Sequence, residues 1–347
     1  MNTKLLSRSG CHWRRSLSVT TYTRTSPKLT APITLALVTD LHSTLYGPGQ
    51  EILLNAIHRQ NPDLVLLSGD IADHKVPLKG ALILLKELGA SYPCFYVSGN
   101  HEEWTRQMPK LRSRFARLGV HPLRGNSVTL RLKGQAIQLG GVDDPHAFVR
   151  SHHSGRLSEK WVEQLKRCSR SLSPDCYSIL LSHRPELTRY YAESGFNLVL
   201  CGHAHGGQIR LSFCPGGLLA PHQGFFPKYA GGMYELGGTS MVVSRGLCRN
   251  CLPRFGNPPE LVIVRIAPPA KTHTSDRPPV ESSIFHAIPS PAANRSFFRI
   301  SNAAIIIEHF ISYDAILIFL FDLCIIAVYK VHPKQRRDSY DCYCNRI

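Results

Sequence analysis

Polar residues able to hold metal recur along this 347-residue chain at the ends of short apolar runs. They are Asp40 and His42, then Asp70, then Asn100 and His101, then His183, and last His203 and His205. Alone, an Asp after a strand reads as a turn or helix cap, and a lone His as an ordinary core or surface residue. The ordered set reads differently, because five separate strand ends all offer carboxylate, amide or imidazole donors. Asp40, His42, Asp70, Asn100, His183, His203 and His205 make seven candidate ligands. That exceeds what one tetrahedral ion with an open position takes. It suits two divalent cations about 3.5–4 Å apart that share a carboxylate, an arrangement used in hydrolysis. Oxygen and imidazole donors together favour Mn²⁺, Fe²⁺, Zn²⁺ or Ni²⁺ over Ca²⁺, and no thiolate is required.

Positioning such a set requires several strands that stop at one edge. The hydrophobic pattern predicts strands at Ile33–Thr39, Asp63–Ser68, Pro93–Ser98, Ala136–Gly140, Tyr177–Ser182, Asn197–Cys201 and Glu260–Ile266. Helical faces fall at Gln50–Arg59, where Leu53, Leu54 and Ile57 align, and at Leu78–Leu88. Buried strands alternating with helices argue for βαβ units and parallel pairing, with ligands gathered beyond the strands' carboxyl ends. The Gly- and Pro-rich stretch Leu211–Ser244 reads as loops and short antiparallel pairs.

Asp40-Leu41-His42, Gly69-Asp70, Gly99-Asn100-His101-Glu102, His183 and Gly202-His203-Ala204-His205 together resemble the ordered motifs of the calcineurin-like metallophosphoesterases. The resemblance spans roughly Ile33–Ile266 and implies a four-layer αββα sandwich, two mixed sheets flanked by helices, with a dimetal site at the strand ends. It implies one metal on Asp40, His42 and His205, a second on Asn100, His183 and His203, and Asp70 bridging both. A hydroxide bridging the two cations would attack phosphorus. His101 would contact the phosphate or protonate the leaving oxygen, and Glu102 would hold His101 by a hydrogen bond. Gly206-Gly207-Gln208-Ile209 and Pro253-Arg254-Phe255-Gly256-Asn257-Pro258-Pro259-Glu260 resemble a bacterial, often membrane-associated branch, as does Gly141-Val142-Asp143-Asp144-Pro145. In the last segment an Asx-turn before Pro is the preferred account of the acids, ahead of substrate orientation.

The expected function is therefore metal-dependent hydrolysis of a phosphoester, with a phosphodiester or a related bond such as a lipid-linked pyrophosphate as the favoured substrate class. A nuclease is the alternative enzyme. The excess of 41 Lys and Arg over 24 Asp and Glu, a net charge of +17, supports it. No stripe of bases interleaved with aromatics does. A non-catalytic metal-binding scaffold ranks last, because no ligand position is missing.

The ends are read separately. Residues 1–30 form a basic leader, and Arg14-Arg15 is not followed by the apolar stretch of about 7–15 residues that a signal peptide needs. The catalytic domain is placed at 31–267, a Pro, Ser and Thr-rich linker at 268–300 and an apolar tail with a basic end at 301–347. Within the tail, eleven apolar residues of Ile311–Tyr329 favour insertion by roughly 5 kcal/mol, against about 3 for the central Asp322. A buried or interfacial helix is preferred there to a full span. Eleven scattered cysteines suggest reduced thiols and a cytoplasmic protein, with membrane-surface association through the tail as the alternative. Cys248-Arg249-Asn250-Cys251 has metal-knuckle spacing but no second pair, so it is not taken as a zinc site.

Overall fold

In the computed structural model, the described residues are 17–148, 157–211, 216–249 and 254–270. The chain divides into two units, 1–270 and 271–347, so the expectations for the linker and the apolar tail lie outside the described residues. Among those residues no helix is long and apolar enough to cross a membrane.

The strands are β1 (Ser18–Thr25), β2 (Ile33–Val38), β3 (Leu64–Ser68), β4 (Cys94–Val97), β5 (Val120–Pro122), β6 (Asn126–Leu132), β7 (Gln135–Gly141), β8 (Tyr177–Leu181) and β9 (Leu198–Cys201). The short β10 (Leu219–Ala220) and β11 (Gly224–Phe225) follow, then β12 (Gly232–Leu236), β13 (Thr239–Val243) and β14 (Glu260–Ala267). The helices are α1 (Glu51–His58), α2 (Lys79–Ser91), α3 (Asn100–Trp104), α4 (Met108–Ala116), α5 (Glu159–Arg170) and α6 (Thr188–Ala192).

One six-stranded sheet runs β1-β14-β2-β3-β4-β5 and the other β12-β13-β9-β8-β7-β6. The runs β2-β3-β4-β5 and β13-β9-β8-β7 pair in parallel, while β14 with β2, β12 with β13 and β6 with β7 pair antiparallel. Both sheets are thus mixed.

The period-two geometry of a strand sorts its side chains between two layers. Leu35 and Leu37 of β2, with Leu64 and Leu66 of β3, face Ile179 and Leu181 of β8 and Leu198 and Leu200 of β9 in a core between the sheets. The alternate residues, Ala36, Val38, Val65 and Leu67, pack against Leu53 and Ile57 of α1, Leu84 and Leu88 of α2 and Phe115 of α4. On the far side, Leu180, Val199 and Met241 pack beneath Trp161 and Leu165 of α5 and Tyr191 of α6. The result is the expected αββα sandwich. Its central strands read as continuous apolar runs because they are buried on both faces.

The leader expected over residues 1–30 is corrected at its second half. Ser18–Thr25 forms an edge strand that pairs in parallel with β14, from Ser18 against Glu260 to Thr25 against Ala267. Thr20 donates to Glu260 at 2.5 Å, Arg24 pairs with Glu235 at 2.7 Å, and Tyr22 packs on the core between the sheets. The strand escapes a hydrophobicity reading because it lies at an edge and alternates half-buried with exposed positions, mostly Thr and Ser. Its β-branched and aromatic content was the available signal.

The layers make a testable difference. Leu37→Ala, at a fully buried position, should cost about 2–5 kcal/mol. Val19→Ala, on exposed β1, should stay within about 0.5 kcal/mol. Urea denaturation midpoints compare the two, and equal costs would contradict the layer assignment.

Candidate metal centre

Five of the parallel strands, β2, β3 and β4 of one sheet and β8 and β9 of the other, end at one edge, and each delivers one part of the cluster. Beyond β2 come Asp40 and His42, beyond β3 Asp70, and beyond β4 Asn100 as the first residue of α3. His183 follows β8, and His203 and His205 follow β9. All seven candidate ligands are buried. The loops after β2 and β3 are zipped together by backbone bonds from Asp40 N to Gly69 O, His42 N to Asp70 O and Ser43 N to Ile71 O.

Asp70 sits between the others. Its carboxylate lies 3.2 Å from His183 Nε2 and 3.7 Å from His42 Nε2, and it accepts from His101 N at 2.8 Å. Asp40 is 3.6 Å from His205 Nε2 and accepts from His203 N at 3.0 Å. His203 Nδ1 lies 3.2 Å from His183 Nε2. Tetrahedral N and O donors each about 2.0–2.2 Å from a shared ion lie about 3.3–3.6 Å apart, and these separations bracket that range.

Five of these residues have left-handed backbone: Asp40 (φ 51°), His42 (47°), Asp70 (53°), His203 (68°) and His205 (48°). Each such non-glycine position costs about 1–2 kcal/mol and needs surrounding structure to hold it. Gly99 contributes by having no side chain, since a Cβ there would collide with the Asp70 carboxylate.

The donor set fits divalent cations on an observation of its own. His42 Nε2 and Asn100 Oδ1 are buried with no hydrogen-bond partner. An unmet buried polar atom costs about 1–3 kcal/mol. His42 Nδ1 lies 2.7 Å from Asp73 and His183 Nδ1 2.8 Å from Ser68 O, so the Nδ1 protons have acceptors and each Nε2 lone pair points inward.

Glu102 does not hold His101, contrary to the sequence reading. Its two oxygens accept from Asp70 N and Gly99 N at 2.8 Å and from Ala72 N at 2.9 Å, which pins the β3 and β4 loops to each other. Burial and then the Asp70 charge push its carboxyl up to about 8, against the backbone donors, which favour the anion. The partner of His101 is Asp73, whose carboxylate lies 2.9 Å from His101 Nδ1 and also serves His42. Despite burial, the hydrogen bonds from those two imidazoles hold Asp73 well below the carboxylate range. Asp73 stands three residues after Asp70, and that spacing was the signal available for it.

Other residues missed by the sequence reading form the rim. Trp104 lies 4.6 Å from the His101 ring centroid and packs edge-on against His74 and His146. Buried Arg184 pairs with Asp144, at 2.5 and 3.0 Å, and reaches His146 and His222 at 2.6 Å each. Asp144 also accepts from His146 N, the Asx-turn expected before Pro145, while Asp143 pairs with Arg112 at 2.5 Å. Both acids are committed to protein partners. Nothing in the local sequence of Arg184 marks it as part of the rim, because Asp144, His146 and His222 lie 38–40 positions away in the chain.

The calcineurin-like phosphoesterase family model matches residues 33–207. The chain belongs to the calcineurin-like phosphoesterase family. It is 32% identical over 247 residues to the uncharacterized protein YpbG of Bacillus subtilis, covering 69% of this chain and 82% of that protein. It is 25% identical over 236 residues to phosphodiesterase YaeI of Escherichia coli, covering 64% and 80%. The solved dimetal phosphatase from Danio rerio aligns at 15% identity with a TM-score of 0.40, over 62% of this chain and 87% of that one. Membership makes this phosphoesterase a hydrolase acting on phosphoester bonds at a dinuclear divalent metal centre.

Glu102→Ala removes the acceptor of three buried N–H groups and should cost about 3 kcal/mol or more, read from the urea midpoint of the metal-free protein. A loss under about 1 kcal/mol would contradict the pinning role. In the metal-free protein, burial opposes the charged form of His42 and His183. The Asp73 hydrogen bond overcomes it at His42 and the Asp70 charge at His183, and both are pushed up to about 10. Their contribution to stability is then complete below the ordinary value of 6.5 and is lost as pH rises through about 10. Metal uptake near pH 7 should release protons and tighten as pH rises. Calorimetry in buffers of different ionisation enthalpy measures this, and uptake with no proton release would be the contrary result.

Proposed function

We propose that this phosphoesterase hydrolyses phosphodiester or related pyrophosphate bonds, on a lipid substrate presented at a membrane surface. The observation that carries the hydrolytic reading is the convergence of seven buried donors, with unpartnered His42 Nε2 and Asn100 Oδ1 among them. Asp40, His42 and His205 would hold one cation and Asn100, His183 and His203 the other, with Asp70 shared. When bound, the pair supplies an acidified water and neutralises charge on the phosphoryl oxygens.

The remaining work falls to protein groups. Asp73 engages His101 Nδ1 and thereby turns Nε2 toward the site mouth, where it can deliver a proton to the leaving oxygen. The 21% exposure of the His101 side chain gives it access to substrate. On the side lined by Trp104, His146 and His222, Arg184 has its charge matched by Asp144, so this part of the rim offers imidazoles and an indole. Such a rim suits a monoanionic diester with organic groups on both sides better than a dianionic monoester. The name of YaeI, phosphodiesterase, points the same way.

The lipid preference rests on the neighbouring surface. Phe225, Phe226 and Phe255 are 55%, 64% and 50% exposed. Their segments adjoin the His205 turn: Ile209 bridges to Phe255, Leu218 N donates to Gly207 O and Ile209 O, and Phe226 N donates to Leu218 O. Phe226 is a bulky residue held at φ 53°. From residue 194 to 259 the sequence carries one acid, Glu235, against Arg210, Lys228, Arg245, Arg249 and Arg254. Aromatics beside basic residues fit an anionic lipid surface.

The test uses the full chain with Mn²⁺. Bis-p-nitrophenyl phosphate should turn over faster than p-nitrophenyl phosphate, and Asp70→Ala should abolish both activities. His101→Gln should lower kcat by about 10²–10⁴ with metal content unchanged. Activity in Asp70→Ala equal to wild type would sink the dimetal reading, and DNA as the fastest substrate would favour a nuclease. Flotation with phosphatidylserine vesicles should weaken in Phe225→Ser/Phe226→Ser while soluble diester turnover persists. Unchanged flotation would remove the lipid argument.

A further inference from the structure

One group of candidate donors includes a residue outside the motifs quoted above. His42, His205 and Cys248 are all buried, and each offers a donor atom within 4.8 Å of the others' donors. Cys248 is 1% exposed. The loop carrying it is fastened onto the site from several sides. Ser244 N donates to Cys201 O at 2.9 Å, Leu247 N donates to Thr39 O at 3.1 Å, and the Tyr46 hydroxyl donates to Leu247 O. Gly246, at φ 72°, lies so close to Asp40 that a Cβ would fall 2.6 Å from the Asp40 Cβ. The thiol two residues further on lies beside His42 and His205.

The second, independent observation is His42 Nε2, which is fully buried and has no hydrogen-bond partner. His42 belongs to the same group of three donors as the Cys248 sulfur, and with its Nδ1 engaged by Asp73 the nitrogen left to offer is Nε2. We propose that Cys248 Sγ is an additional protein ligand of the cation that Asp40, His42 and His205 hold. This rests on the dimetal reading above and deepens it. A thiolate is a soft donor that favours Zn²⁺ or Fe²⁺ over Mn²⁺. Among the described residues, the group that corresponds to the second cation, Asp70, His183 and His203, contains no sulfur. The two positions therefore differ in softness, and this phosphoesterase should load an unlike pair when both kinds of metal are offered. The sequence reading required no thiolate and set Cys248 aside for want of a second cysteine pair. The ligands it joins are imidazoles and a carboxylate from distant parts of the chain.

The experiment strips the full chain with a chelator and reloads it with Co²⁺. Wild type should show a sulfur-to-cobalt charge-transfer band in the near ultraviolet. Cys176→Ser, at a half-buried cysteine away from the ligand group, should keep the band. Cys248→Ser should lose it while visible d–d bands show cobalt still bound. Zn²⁺ affinity of the first position should fall by at least the about 10–100-fold that loss of an outer partner costs, with Mn²⁺ affinity changing less. If Cys248→Ser does not fold, X-ray absorption of the Zn²⁺-loaded wild type decides. A sulfur shell at about 2.3 Å supports the proposal, and only nitrogen and oxygen at about 2.0–2.2 Å overturns it. Two bound Co²⁺ with no charge-transfer band in wild type, or a band that persists in Cys248→Ser, would overturn the thiolate and leave the dimetal reading standing. Failure of wild type to bind Co²⁺ at all would overturn both.

Discussion

The carboxylate of Asp70 is the point on which the rest of the site depends. It lies on a loop of one sheet and meets His183 from the other at 3.2 Å, while receiving the backbone N–H of His101 from α3. A buried anion in that position must be compensated. In the metal-free protein the His183 and His101 imidazoles do so, holding Asp70 well below the carboxylate range in spite of its burial. The same demand explains why imidazoles, backbone donors and an inward-facing amide crowd one edge of the sandwich.

Holding that carboxylate in place uses a second one. Glu102 accepts the backbone N–H of Asp70 itself and so fixes a left-handed residue that would otherwise relax. The strain at Asp40, His42, Asp70, His203 and His205 is thus met by hydrogen bonds between loops and by a large apolar core under them. Rigid strands below and strained turns above hold donors in place before any ion arrives, which lowers the reorganisation needed when a reaction develops charge.

Asp73 shows how economical the arrangement is. One carboxylate meets Nδ1 of His42 and of His101, so a candidate ligand and a candidate proton donor share an anchor. Around them Trp104, His146 and His222 form a wall that is mostly aromatic, with Arg184 behind it matched to Asp144. Phe225, Phe226 and Phe255 continue the apolar character outward on a stretch nearly free of acids.

Much of this was legible in the residues alone. The central strands announce themselves because burial on both faces demands uninterrupted apolar runs, and the donors announce themselves because they stand at the ends of those runs. Periodicity could not show β1, whose edge position leaves it polar, nor the true partner of Glu102, which is backbone. Asp73 was one spacing argument away. Arg184 and Cys248 were out of reach, because their surroundings are assembled from loops far apart in the chain. Local sequence thus determined which chemistry the chain can carry and which strands present it. Only tertiary packing decided which donors face one another, since hydrogen bonding and coordination require approach within about 3–4 Å, and sequence separation does not encode that distance.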